Sequence, residues 1–288
     1  HVPNVLISGA GPPPVSTTSV WPAGGYSLSG FGPGTYMVTP TKTGGTNTNG
    51  AVNGFDAARI SQYIVGLYPL NSTQQAVADV SGSGGVSSFD ATLIGRYTVS
   101  LGPPTGSAGN WIFTPSSRTY SAIFNNIANE NYSALLMGDV TGNWNHPSSI
   151  PGRPANSGGP ERSTAVKAPH VVTPAGNDVL IPVAIQGAAN KDIISYEFDL
   201  IYDPAVIQPQ ANPVNVAGTV SSGLTAVANS GQPGLLKVAV FGPMPVNGDG
   251  ILLNLRFTAV GAPGTVTSLT WEHLIFNEGE PRATTTDG

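Results

Sequence analysis

The chain contains no cysteine, which removes disulfide cross-links, thiolate nucleophiles and cysteine metal ligands at once. Charge is nearly as scarce. Asp, Glu, Lys and Arg make up 9% of 288 residues, against roughly 25% in ordinary soluble domains. Eleven basic residues stand against 16 acidic ones, a net charge of −5. Nothing in that balance suits a nucleic-acid partner. No apolar run approaches the ~20 residues needed to span a bilayer. The histidines His1, His146, His170 and His273 are scattered and share no ligand spacing. No nucleophile elbow, phosphate loop or zinc pattern occurs, so catalysis is not expected.

Glycine (37) and proline (26) are abundant instead, and apolar residues at 40% suffice for packed cores. That composition points to a mainly β fold with many turns. One stretch departs from it. Gly45 to Ala57 and Asp79 to Ala91 repeat one pattern 34 positions apart: Gly50 answers Gly84, Val52 answers Val86, Phe55 answers Phe89 and Asp56 answers Asp90. Each copy runs into helical apolar spacing, Ile60, Tyr63, Ile64 and Leu67 in the first and Leu93, Ile94, Tyr97 and Leu101 in the second. Two loop-plus-helix units of one design form an internal repeat.

The loop chemistry suits calcium. A hard cation takes side-chain oxygens at loop positions 1, 3, 5 and 9, a backbone carbonyl at 7 and a carboxylate at 12, with glycine at 6 for the sharp turn. The second copy offers Asp79, Ser81, Ser83, the Gly85 carbonyl, Ser87 and Asp90. The first offers Asn47, Asn49, the Ala51 carbonyl, Asn53 and Asp56, with Gly45 at position 1 and Gly50 at position 6. Asp139, Thr141 and Asn143 repeat the 1-3-5 spacing and are expected to fold back and supply the oxygens that the first loop lacks. The alternative is that both loops are plain turns capping helices. The repeat resembles the dockerin type I module over 43–101, a family that binds one calcium per loop and docks onto cohesins.

Two β regions flank this module. Tyr26, Leu28, Tyr36 and Val38 alternate as a half-buried sheet requires. The pattern from Gly25 to Val38 resembles the carboxypeptidase regulatory-like, or prealbumin-like, β-sandwich, without that family's opening strand. Val179 to Ile185, Ile193 to Tyr202, Leu235 to Phe241, Ile251 to Ala259 and Ser268 to Phe276 read as strands of a second sandwich. The segments Ile194 to Pro204, Gly248 to Phe257 and Phe276 to Pro281 resemble a cohesin, a jelly-roll sandwich that binds dockerins. The resemblance places that family's final strand after Gly288. In it Glu278 and Glu280 end a strand; they are not read as a paired-acid hydrolase. Trp21, Trp111, Trp144 and Trp271 are read as core residues.

The expected organisation is a sandwich at 1–43, dockerin-like repeats with a β-extension at 44–146, a Pro/Gly-rich linker at 147–169 and a cohesin-like sandwich at 170–288. The chain begins without methionine and reads as part of a secreted precursor, hence extracellular or on the cell surface. Asn71 and Asn131 open glycosylation sequons. The leading expectation is a calcium-stiffened subunit joining copies of itself head to tail, through complementary modules and unpaired sheet edges. The alternatives are a fragment of a larger scaffold or adhesin, and a module that binds glycans.

Overall fold

A computed structural model describes residues 1–44, 48–145 and 163–288, with Asn49 described by its backbone alone. The N-terminal region holds β1 (Leu6–Ala10), β2 (Val15–Thr18) and β3 (Tyr36–Thr41). Val5, Ile7 and Val38 form its small core, with Tyr26 and Leu28 packed against it. Gly25 to Ser29, expected as a strand, is not one; only a bridge from Val20 to Gly25 survives. Tyr26 and Leu28 are still half-buried, without ladder pairing.

The repeats form the helical part: α1 (Thr48–Ala51), α2 (Gly54–Ile64), α3 (Ser72–Ala78) and α4 (Ser88–Thr98). Capping boxes start the last three. Asn53 pairs with Asp56, Asn71 with Gln74 and Ser87 with Asp90. Each satisfies orphan N–H groups of a first turn. Ala57, Ala58, Ile60, Ala91, Leu93 and Ile94 are buried, on the face set by the 3.6-residue period.

The extension that follows splits its allegiance. Strands β4 (Trp111–Thr114) and β6 (Ser133–Leu136) pair with each other. Strand β5 (Arg118–Tyr120) instead joins β3, giving a sheet of order β2-β1-β3-β5. The boundary expected at residue 43 is therefore crossed by a ladder: Tyr36 faces Tyr120 and Val38 faces Arg118.

The C-terminal sandwich runs from β7 (Ser163–Lys167) and β8 (Asp178–Gln186) through β9 (Ser195–Ile201), β10 (Ile207–Asn215), β11 (Thr225–Asn229), β12 (Leu235–Phe241), β13 (Gly250–Ala259) and β14 (Thr270–Phe276) to β15 (Arg282–Thr286). Its sheets have the orders β10-β13-β8-β7-β15 and β11-β12-β9-β14. Val179, Ile181, Val183 and Ile185 of β8 meet Tyr196, Phe198 and Leu200 of β9 in one core, as alternation predicts. Two expectations need correction. Residues 163–167 are not linker but the first strand. Residues before Gly288, read as preceding the final strand, already form one: β15 pairs in parallel with β7, Arg282 facing Ser163 and Thr286 facing Lys167. Both strands are short, and β15 is polar and Thr-rich, which hid them from apolar periodicity. Residues 146–162, most of the expected linker, lie outside the described residues, as does His146.

Two measurements check this architecture. Phe257 is fully buried between the sheets, so Phe257→Ala should cost about 3–5 kcal/mol, read as a shifted denaturant midpoint of the sandwich. Across the β9–β14 ladder, His273 Nε2 lies 3.5 Å from Glu197 Oε1. The hydrogen bond to Glu197 raises the His273 pKa against the opposing effect of burial. A raised pKa gives stability that is complete below the unfolded value near 6.5 and lost as pH rises through the folded value. Sandwich stability should fall modestly as pH passes upward from about 6.5, and His273→Gln should flatten that slope; an unchanged slope in the variant would count against the pair.

Candidate functional site

The second loop adopts the turn its sequence predicts. Gly82 and Gly84 have φ of +71° and +88°, the left-handed region that glycine enters without penalty. This wraps the chain around Asp79. Its Oδ1 accepts the Ser83 N–H at 2.9 Å and the Ser81 hydroxyl at 3.1 Å, and its Oδ2 accepts the Gly84 N–H at 2.8 Å. Partial burial pushes the Asp79 pKa up, but the N–H groups of Gly84, Ser83 and Gly82 with the Ser81 hydroxyl bring it below the ordinary value.

Asp90, at position 12, is fully buried. Its Oδ1 accepts the Ser81 N–H at 2.9 Å; its Oδ2 accepts the N–H and the hydroxyl of Ser87, each at 2.8 Å. The Ser83 hydroxyl donates to the Gly85 carbonyl at 3.0 Å. Positions 1, 3, 5, 7, 9 and 12 thus converge on one loop, and every side-chain or carbonyl donor atom among them is oxygen. Such a set fits a hard divalent cation.

The first loop differs. Gly45 and Asn47 lie outside the described residues, and of Asn49 only the backbone is described. Gly50, expected to make the sharp turn, sits inside the helical turn α1. Asn53 serves as a cap, accepting the Phe55 N–H at 2.8 Å and donating to the Gly50 carbonyl at 3.2 Å. Asp56 is fully buried and accepts the Asn53 N–H at 2.9 Å.

The second partner of Asp56 comes from far along the chain. The Thr141 N–H and hydroxyl reach its Oδ1 at 3.0 and 3.1 Å. That contact matches the one from Ser81 to Asp90. The correspondence extends further: Asp139 accepts the N–H groups of Asn143 at 3.0 Å and Trp144 at 3.2 Å, as Asp79 accepts those of Ser83 and Gly84, and Gly142 has the same φ of +71° as Gly82. Asp139, Thr141 and Asn143 therefore stand toward Asp56 as loop positions 1, 3 and 5 stand toward position 12.

A residue that the sequence reading placed only at a strand end joins this cluster. Glu278, beyond the end of β14, accepts from the Thr141 hydroxyl and, at 2.8 Å, from Asn143 Nδ2. Nothing short of tertiary structure signals this approach across 135 positions. Burial pushes the Asp56 pKa well up, against the lowering effect of the Asn53 and Thr141 N–H groups, and the charges of Asp139 and Glu278 push it further. Burial also raises that of Asp139. The side-chain oxygen of Asn143 is buried without a partner. Among the described residues, no three His, Cys, Asp or Glu side chains converge as a metal-binding group, so either loop would lean on hydroxyl, amide and carbonyl oxygens beside its carboxylates.

The helices above these loops rest on the second sandwich. Helix α2 lies over β9 and β12, and α4 over β11 and β12. Ile194 and Phe241 of the sandwich belong to the helical core, among Ala57, Ile60, Ala91 and Ile94. The sequons stand apart from this junction. Asn71 and Asn131 are exposed; Asn71 accepts the Gln74 N–H at 3.0 Å as a cap. Among the described residues, no helix is long and apolar enough to cross a membrane.

Comparison with known proteins agrees with this division. Residues 44–98 match the dockerin type I domain family and residues 164–287 the cohesin domain family. No curated protein matches the chain. Similar solved structures include the sixth cohesin of scaffoldin B from Acetivibrio cellulolyticus in complex with a Cel5 dockerin mutant (20% identity over 44% of this chain and 96% of that one, TM-score 0.35). Another is the non-cellulosomal cohesin from Archaeoglobus fulgidus (22%, covering 44% and 88%, TM-score 0.37). A third is the Coh-OlpA–Doc918 complex from Clostridium thermocellum (14%, covering 44% and 96%, TM-score 0.39). The chain carries a dockerin type I domain followed by a cohesin domain, two non-catalytic protein-interaction modules in one polypeptide.

Proposed function

We propose that this chain is a non-enzymatic structural segment of an extracellular scaffold, in which a calcium-braced dockerin holds the cohesin sandwich rigidly against the N-terminal β region. The observation that carries the reading is the shared core: Ile194 and Phe241 of the sandwich are buried among the helices of the repeat.

Calcium is the proposed ion. Asp79, Ser81, Ser83, the Gly85 carbonyl, Ser87 and Asp90 are its ligands in the second loop. In the first, Asp139, Thr141 and Asn143 stand in for positions 1, 3 and 5, with the Ala51 carbonyl, Asn53 and Asp56 behind them. Few charged ligands imply weak sites, nearer those of extracellular modules, at about 10⁻⁴–10⁻³ M, than those of cytosolic buffers.

A second reading, a filament of copies joined head to tail, is favoured by the edges of the N-terminal sheet. Strands β2 and β5 flank it, and an open edge is a template for another chain.

Calcium titration by calorimetry tests the first reading. The wild-type chain should bind, and Asp90→Ala should abolish the second-loop site; no binding by either protein would refute the calcium brace. Electron microscopy with and without calcium tests the second, since only monomers in both conditions would exclude a filament. Intact mass in excess of the chain by whole hexose units would show glycosylation, for which Asn71 and Asn131 are the candidate sites.

A further inference from the structure

We infer that the dockerin and cohesin modules of this chain are each other's partner, so that the cohesin face formed by β11, β12 and β9 is closed in cis and is not offered to a dockerin on another protein. This rests on the assembly reading above and specifies the partner.

The argument begins with alternation. On β9 and β12 the side chains of Tyr196, Phe198, Leu236 and Val238 point into the sandwich. Their neighbours point outward and should be solvated if the face were free. Near the helices they are not: Ser195, Ala239 and Phe241 are 1%, 0% and 2% exposed. Phe241 in particular is a large ring on the outer face of a sheet. An uncovered ring there would be an unusual exposed apolar feature; under α4 it is core.

The cover is shaped for its seat. A Cβ on Gly95 would lie 2.5 Å from Phe241 Cε1, closer than real Cβ atoms approach, and 3.0 Å from Cζ. Glycine inside a helix costs about 1 kcal/mol relative to alanine, and α4 itself gives no reason for it. The close approach of Phe241 supplies one. Polar groups are matched across the seam as well. Asn229 Nδ2 donates to the Val99 carbonyl at 2.9 Å and the Ser100 carbonyl at 3.2 Å, satisfying the orphan acceptors at the end of α4. Gln62 Nε2 donates to the Pro243 carbonyl at 3.3 Å. Glu278 receives the two donors from the 139–143 segment described above.

Tethering then decides between partners. Modules joined through one short connection meet at an effective concentration on the order of mM. A separate dockerin at ~1 µM, binding the same face equally well, therefore competes at a disadvantage of about 1000-fold.

The experiment uses the full chain with a protease site placed within residues 146–162. After cleavage the two pieces should remain one species in sedimentation at micromolar concentration. Gly95→Leu should separate them, while circular dichroism retains its helical signal, because leucine is a better helix former than glycine. Phe241→Ala, on the opposite side of the seam, should weaken the pair at least tenfold. The labelled N-terminal piece is then offered to intact chains. Intact wild type should fail to capture it, because its own face is closed, whereas cleaved C-terminal piece should capture it. Wild-type pieces that part on cleavage, with intact wild type capturing the labelled piece, would overturn closure in cis and leave the assembly reading standing. Pieces that part and are captured by neither protein would overturn both.

Discussion

Everything else in this molecule hangs on an aromatic ring entering the space left by a missing side chain. Phe241 lies against Gly95, and around that contact the core of the helical module extends onto the outer face of the β-sandwich. Small residues make the approach possible along its length: Gly54, Ala57 and Ala58 on α2, Ala91 and Gly95 on α4. Two helices with bulkier faces would stand off the sheet, and the outward residues of β12 would meet water. The sandwich needs no help to bury its interior, since Phe198, Phe257 and Phe276 do that between the sheets. The helical module is different. Its core is completed by two residues from the sandwich, so docking adds to its stability.

The two repeat loops sit at the starts of the same two helices, with the position-12 carboxylates at their first turns. Asp56 and Asp90 close capping boxes, so each accepts N–H groups at the first turn of its helix whatever else it holds. A buried carboxylate is costly unless its oxygens are satisfied. Here backbone N–H groups satisfy them in part, and a cation would complete the compensation. A cation at either loop would thereby be coupled to the helix: drawing on these oxygens, it would also fix the direction in which α2 and α4 leave their loops, and so the angle at which they meet the sheet.

Much of this was legible in the sequence, and the gaps have physical causes. The turn of the second loop was readable because Gly84 takes the left-handed conformation its position suggests, and the chain wraps around Asp79. The long strands were readable because β8 and β9 alternate apolar and polar residues. Strands β7 and β15 were missed because their ladder is largely polar, and Tyr26 and Leu28 misled because burial without pairing leaves the same trace as a strand. The first loop was half legible. The spacing of Asp139, Thr141 and Asn143 told of a segment that folds back to the first loop, and Thr141 does reach Asp56. Nothing local announced Glu278, whose approach depends on where the sandwich sits. Nor did sequence explain Gly95, which in a helix pattern looks like a flaw until Phe241 is in view.

The ladder between β7 and β15 has a mechanical consequence. The strands run parallel, so the polypeptide enters the sandwich at Ser163 and leaves past Thr286 at opposite ends of the same ladder. Tension applied through these two points pulls the strands past each other lengthwise and loads their hydrogen bonds together in shear. An antiparallel pair pulled from one end would unzip one rung at a time. A module stressed by flow or by the weight of attached cargo would thus resist first at its least apolar seam, by geometry and not by burial.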